Sequence, residues 1–413
     1  MTNRKKYFFS AILLLLGSIS FSQSLDDLLK EVVEQNPDLK SLNAQFEAER
    51  SRVDQVSQLP NLSLGSGVPA MRPETRLGPQ LVMVSASQMF PWFGTFRAKE
   101  EVVISMSKAK FEKIAAKKLD LFFRLKAAYY EINFQQTISD IIKERLEIYR
   151  SLENISLTKV ESGLTLISDV LRLQVKIQEL EEEIPKISND IQILETQINE
   201  ITHHDFSRKI ETENVIDTII PLNFDTAAYM NKISKYHPMI AALNYKIEAS
   251  ENAQQANKKM NSVIFGVGVD YSLVGQRTDA NPLNNGRDIL VPKMMLSVPL
   301  YRKSYHAKDT EEEFLQESLN YQKEAFLDAM MSQLLQYKLE YDNAVLMINL
   351  HQNQYETTEK ALEILMVNYS STGQGFDEVL QLENQLLSHE IAVVQGKFKM
   401  KMAIAKIDRL TDF

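Results

Sequence analysis

Val170, Ile177, Ile184, Ile191 and Ile198 recur at every seventh position, and Leu173, Leu180, Ile187, Leu194 and Ile201 follow them three residues later. This pattern predicts a coiled-coil seam, because apolar knobs on a seven-residue repeat keep one helix face turned to a partner. Pro185 falls inside the run and predicts a kink. A second, looser seam passes through Val379, Leu386, Val393, Met400 and Ile407. Glycine and proline are missing from the 68 residues between Gly94 and Gly163 and from the 73 between Pro299 and Gly373. These residues are the strongest helix punctuation. Each gap therefore reads as one very long helix, roughly 100 Å at 1.5 Å per residue.

A different period governs the short segments around which glycine and proline cluster. Val263, Phe265, Val267, Val269 and Tyr271 alternate with Ile264, Gly266, Gly268, Asp270 and Ser272. Met294, Leu296, Val298 and Leu300 alternate with Lys293, Met295, Ser297 and Pro299. Leu62, Leu64 and Val68, and Val82, Val84, Ala86 and Phe90, repeat the alternation earlier in the chain. A period of two with one apolar face predicts four amphipathic strands, long enough to cross a bilayer when tilted. That face assignment predicts that Val267→Arg hampers membrane insertion, while Gly268→Ser on the other face is milder.

The two sets of elements form a tandem repeat. Asn36-Pro37 to Val68 aligns with His237-Pro238 to Val269 at an offset of 201 residues. Further on, Ala98-Lys99 returns as Ala307-Lys308 and Val170-Leu171 as Val379-Leu380, at an offset of 209. The first repeat is set at 23–202, with a β-hairpin at 61–90 and long helices over 95–202. A linker covers 203–225. The second repeat is set at 226–413, with a hairpin at 262–300 and long helices over 301–410. Four strands cannot close a barrel, and backbone facing lipid tolerates no open edge. Three copies supply twelve strands, an even count normal for an outer-membrane barrel. The expected fold is therefore mainly α, with long coiled-coil helices forming an α-barrel tunnel and a twelve-stranded membrane β-barrel shared by a trimer.

Composition changes this picture in three places. Arg4, Lys5 and Lys6, the apolar run Tyr7 to Gly17 and Ser20-Phe21-Ser22 read as a signal peptide over 1–22. Removing its three positive charges takes the chain from a net −9 to −12, which excludes a nucleic-acid partner. There is no cysteine, so disulfides, thiol chemistry and a lipid-anchored terminal Cys are excluded. No phosphate loop, nucleophile elbow, zinc motif or carboxylate–His constellation appears, so the chain reads as a non-enzyme without a cofactor. The His203-His204 neighbours point different ways and lack carboxylate spacing for a metal site. Met83, Met89, Met294 and Met295 read as strand packing.

The repeat, the strand–helix order and two local motifs resemble the TolC-like outer membrane factor family across the mature chain. One motif is Ser87-Gln88-Met89-Phe90-Pro91-Trp92-Phe93-Gly94, similar to the exit from barrel to helix in the heavy-metal, cation-efflux branch. The other is the tight turn from Ser162-Gly163-Leu164 to Ser168-Asp169-Val170-Leu171, with its second copy from Ser371 to Leu380. The resemblance implies an outer-membrane exit duct for efflux, passing substrate, heavy-metal cations among the candidates, from a periplasmic adaptor and an inner-membrane pump of the resistance-nodulation-division type. It implies a homotrimer held in outer-membrane lipid, with a helical tunnel in the periplasm. Asp169, Asp377 and Glu378 are then candidates for a selectivity gate, since a threefold axis turns each inward acid into a ring. Acids also favour helix starts for dipole reasons, and both readings stand. Gln381 occupies a place where the family often carries a further acid. Phe90, Trp92, Phe93 and Tyr301 fit an interfacial aromatic girdle. Gly163, Gly373 and Gly375 mark the tip turns where an adaptor is expected to dock. The other classes left open are an exit duct of type I secretion, a periplasmic adaptor and a coiled-coil rod.

Overall fold

The computed structural model describes residues 24–213, 216 and 221–413. The signal peptide over 1–22 lies outside the described residues, as do positions 214, 215 and 217–220 of the linker. In chain order the elements are α1 (Leu25–Gln35), α2 (Pro37–Arg50), α3 (Arg52–Val56), β1 (Ser63–Gly67), β2 (Glu74–Thr75), β3 (Gly78–Phe90), α4 (Thr95–Glu161) and α5 (Ile167–Thr202). They continue as α6 (Thr226–Tyr236), α7 (Pro238–Met260), β4 (Ile264–Val274), β5 (Ile289–Ser297), α8 (Lys303–Thr372) and α9 (Phe376–Thr411). The long helices α4 and α8 fill the glycine- and proline-free windows. α5 and α9 are each 36 residues long.

Two compact units share these elements. One consists of Ser41–Ala116 and Ser234–Asp328, and the remaining described residues form the other. Each unit draws on both halves of the sequence.

The second of these units is helical, and the heptads build it. Val170, Leu173, Ile177, Ile187, Leu194, Ile198 and Ile201 are all buried, as are Val379, Leu386, Val393, Met400 and Ile407. Leu173, Ile177, Ile187 and Val379 pack on Ile138, Ile142, Leu146, Tyr149 and Leu152 of α4 in one apolar cluster that also holds Tyr369 and Phe376. Pro185 lies inside α5 without ending it. Under the seam sits a charged cluster, in which the Arg145 guanidinium donates to Glu383 and, at 3.2 Å, to Glu390. None of the helices is long and apolar enough to cross a membrane, among the described residues.

The other unit holds an antiparallel sheet in the order β1-β3-β4-β5, with β2 pairing only with β3. Leu64 pairs with Ala86, Ala86 with Val269, and Val269 with Pro292; Val84 pairs with Tyr271 and Tyr271 with Leu290. Directly paired residues share a face, so one face carries Leu64, Val84, Phe265, Val267, Tyr271, Leu290, Met294 and Leu296. All of these are exposed, up to 88% for Met294. The opposite face carries Ser85, Ser87 and Asp270, whose carboxylate binds Lys293 Nζ at 2.5 Å, and its Gly266 and Ser272 are buried. The apolar face is exposed along β4 and β5, while Ser85, Ser87, Asp270 and Lys293 on the other face are half-buried, which is not the arrangement of a sheet made for water.

Three strand details differ from the sequence expectation. β1 is confined to Ser63–Gly67, and β5 stops at Ser297 instead of Leu300. Pro299 has no N–H with which to continue a ladder. Gly268 is the third detail. A Cβ there would lie 2.8 Å from the Ala86 carbonyl oxygen and 2.9 Å from Lys293 Cε. Gly268→Ser therefore meets backbone crowding that the alternation does not show, and its cost relative to Val267→Arg rests on how far that backbone can shift.

Candidate functional site

The chain reverses direction twice within the helical unit, and the candidate gate residues stand at these two tips. At the first, α4 ends through hydrogen bonds from the Gly163 and Leu164 amides to the Val160 and Lys159 carbonyls. Gly163 takes φ +73°, and its surroundings are open. Asp169 lies in the first turn of α5, where its carboxylate accepts from Thr165 Oγ1 at 2.8 Å and from Ser168 Oγ at 3.4 Å. Leu166 at the N-cap gives no side-chain cap, so the acid and Thr165 carry the local polar work.

At the second tip, the Gly373 amide donates to the Tyr369 carbonyl at 2.9 Å, and Gly375 caps α9 with φ +88°. Asp377 and Glu378 occupy the first turn of α9, both exposed. The two tips are laced together. Ser156 Oγ and the Tyr369 hydroxyl lie 2.9 Å apart and buried, and Lys159 donates to the Ser370 carbonyl at 3.0 Å. Burial pushes the Tyr369 hydroxyl up, and the Asp169 charge adds to that; the Ser156 hydrogen bond works against both. Arg172, one turn beyond Asp169, donates to Asp377 in an exposed ion pair. That hydrogen bond, and then the Asp377 and Asp169 charges, raise the Arg172 guanidinium further.

Arg172 changes the charge count that the acids alone suggest. Asp377 has its own cation, whereas no ion pair is recorded for Asp169 or Glu378 among the contacts described. No local sequence signal announces Arg172, which lies 205 residues from Asp377. A helix seam alone brings them together.

The three tip glycines also separate. Gly163 is exposed, whereas Gly373 is buried with φ +72°, and a Cβ on it would lie 2.6 Å from the Leu164 carbonyl oxygen. Gly373 is therefore where one tip closes on the other. Gly373→Ala combines a left-handed backbone with a backbone clash. We expect it to cost about 1–3 kcal/mol and to increase proteolytic nicking between 160 and 166, whereas Gly163→Ala pays only the backbone strain. Limited proteolysis of the two variants side by side reads this difference.

The aromatic residues gather where β3 hands over to α4. Trp92 stacks on Phe265 of β4 with centroids 5.5 Å apart, and its edge meets Phe93 at 6.0 Å. Thr95 Oγ1 donates to the Trp92 carbonyl at 2.7 Å, fixing the helix start. Phe93 and Tyr301 project with 81% and 90% of their surface exposed, and Phe90 is partly exposed at the end of β3. Exposed rings beside a bare apolar sheet face are an arrangement suited to a lipid headgroup boundary. His204 Nε2 lies 3.2 Å from a Glu31 carboxylate oxygen without a hydrogen bond to it, and Arg208 holds that carboxylate with both of its terminal nitrogens. Among the described residues no group of three or more His, Asp or Glu could hold a metal ion.

A family model described as outer membrane efflux protein matches residues 28–202. No curated protein sequence matches the chain. Several solved structures share the fold at low identity. The outer-membrane channel OprN is 16% identical with a TM-score of 0.73, over 94% of this chain and 89% of that one. The outer membrane protein VceC from Vibrio cholerae is 14% identical with a TM-score of 0.71, over 94% and 95%. The open state of the MtrE outer membrane channel of Neisseria gonorrhoeae is 12% identical with a TM-score of 0.74, over 94% and 88%.

Proposed function

We propose that this chain is an outer membrane efflux protein, the family whose model matches residues 28–202, and that it assembles as a homotrimer into the exit duct of a tripartite efflux system. Its sheet sits in the outer membrane and its helices form a tunnel in the periplasm, where an adaptor and an inner-membrane pump deliver the substrate. One observation carries the reading: a sheet with one apolar, exposed face, with Ser85, Ser87, Asp270 and Lys293 on the other, and with outer edges on β1 and β5 that have no strand partner among the described residues. Lipid accepts such a face but not such edges. Four strands from each of three copies close a barrel of twelve, within the range of bacterial barrels. The helices ask for company too. Leu335, Leu339, Leu346 and Leu350 of α8 are exposed at seam-like spacing, a stripe that a second copy would cover. Mass measurement in detergent should give three copies, and the purified protein should conduct in planar bilayers. A stable inserted monomer, or a trimer without conductance, would defeat the reading.

The tip acids make the periplasmic mouth cation-favouring. Each chain brings Glu161, Asp169, Asp377 and Glu378 against Lys159 and Arg172, a balance of two negative charges, repeated three times around the axis. Clustered carboxylates with low-dielectric walls draw counter-cations inward. Because Asp377 is compensated, the informative variant is Asp169→Asn with Glu378→Gln, which leaves the Arg172–Asp377 pair in place. We expect reversal potentials in a salt gradient to move toward the non-selective value, with thermal melts near wild type. An unmoved reversal potential with a lowered melting temperature would reduce these acids to helix caps.

A further inference from the structure

We propose that His351 and His389 form a binding site for a divalent transition-metal ion, copper, zinc or nickel, which staples α8 to α9. Their Nδ1 atoms lie 3.2 Å apart across the two helices. Two nitrogen ligands on one tetrahedral ion, each about 2.0–2.1 Å from it, stand roughly 3.3–3.4 Å from one another. The gap between the two rings is therefore already the edge of a coordination polyhedron. The rings are tilted by 38° with centroids 5.5 Å apart, so neither blocks the other's approach. Both side chains are half-buried, which leaves the remaining positions to water.

The helices hold this spacing rigidly. Gly396 lies two turns beyond His389 on α9, and a Cβ there would meet Ile348 Cγ1 at 2.7 Å and the Ala344 carbonyl oxygen at 3.4 Å. The missing side chain lets α9 lie close against α8. Ala344, Ile348, Val393 and Met400 then pack as one buried cluster. Ile348 stands one turn before His351, so the close contact fixes the ring that follows it. Ligands on packed helices lose little freedom when they bind, which is the condition for useful affinity from only two of them.

Packing alone does not call for imidazoles here. At the offset of 209 residues read from the sequence, His351 and His389 answer to Ile142 and Leu180, both of which pack in the apolar cluster of the helical unit. A pair of apolar side chains thus serves the seam at the matching place. The two Nδ1 atoms are in hydrogen-bond contact; with the shared proton carried on Nε2 instead, both Nδ1 lone pairs are free for one ion. Imidazole nitrogens suit copper, nickel and zinc, with copper bound most tightly of the three.

The test uses the full-length protein in detergent, stripped of metal and then titrated with Cu²⁺ or Zn²⁺ alone. An ion that binds the folded state raises the unfolding midpoint with concentration. Wild type should show a rise of a few degrees, and His351→Gln and His389→Gln should each abolish it. The double variant His351→Ile with His389→Leu restores an apolar pair and should fold normally without responding to metal. Bound Cu²⁺ in wild type should show paramagnetic-resonance coupling to two nitrogens, absent from each variant. An equal midpoint rise in wild type and variants would assign the effect to His203, His204, His237 or His306 and overturn the proposal. A copper spectrum without the two-nitrogen coupling would overturn it as well.

Discussion

Val269→Arg should remove most of the assembled protein from the outer membrane, while Ser85→Arg should leave it largely in place. Val269 is the central residue of β4 and lies on the bare apolar face, between Ala86 and Pro292. A cation on the lipid face near mid-membrane costs about 2–4 kcal/mol, and a trimer pays it three times. Ser85 is at the same depth, because it pairs directly with Asp270, the next residue along β4. Its side chain points to the opposite face, where an arginine would find the Asp270 carboxylate and water. Both variants place the same arginine, with the same charge, at the same depth, so the chief difference between them is the face. Quantifying heat-resistant trimer in outer-membrane fractions measures it. Equal loss of both variants, or survival of both, would mean that the apolar face does not meet lipid.

The sequence made these faces readable because alternation and heptads are local patterns that packing then enforces. The seam from Val170 to Ile201 is buried as its spacing requires, and so is that from Val379 to Ile407. The glycine- and proline-free windows match α4 and α8 to within a few residues, since a helix without a breaker has no reason to stop. Boundaries governed by pairing were harder. β3 begins at Gly78, four residues before the alternation starts at Val82, and the two-residue strand β2 exists only because Glu74 and Thr75 meet Pro79 and Gly78 across a tight reversal. The electrostatics of the tip were half legible. Asp169, Asp377 and Glu378 could be placed by motif, but Arg172 could not, because an ion pair across 205 residues leaves no trace in local spacing. The crowding at Gly268 was illegible for a related reason. Its closeness to the Ala86 carbonyl depends on strand register, which one strand's own sequence does not contain.

The largest stability effect should come from Arg145, which neither motif nor period singles out. Arg145 is 238 residues from Glu383, and both side chains are more than nine-tenths buried. Glu390, more exposed, binds the second arm of the same guanidinium at 3.2 Å. The carboxylate partners raise the Arg145 pKa even though burial works the other way. Beside the cluster, Tyr149 donates to Asn384 at 3.2 Å, and burial pushes its hydroxyl up to about 12. The charges thus sit in a medium poor in water, where each depends on the other. Taking away one member of such a pair leaves an uncompensated charge and costs about 3–5 kcal/mol. Arg145→Met should therefore lower the denaturant midpoint of the helical unit far more than Arg172→Met, whose pair with Asp377 is exposed and screened by water. Replacing the whole cluster, with Arg145→Met, Glu383→Leu and Glu390→Gln together, should recover much of the loss, because no buried charge is then left unpaired. Chemical unfolding of the three variants separates the terms. If Arg145→Met costs no more than Arg172→Met, the cluster is solvated in the assembled protein and the α4–α9 contact rests on the apolar seam alone.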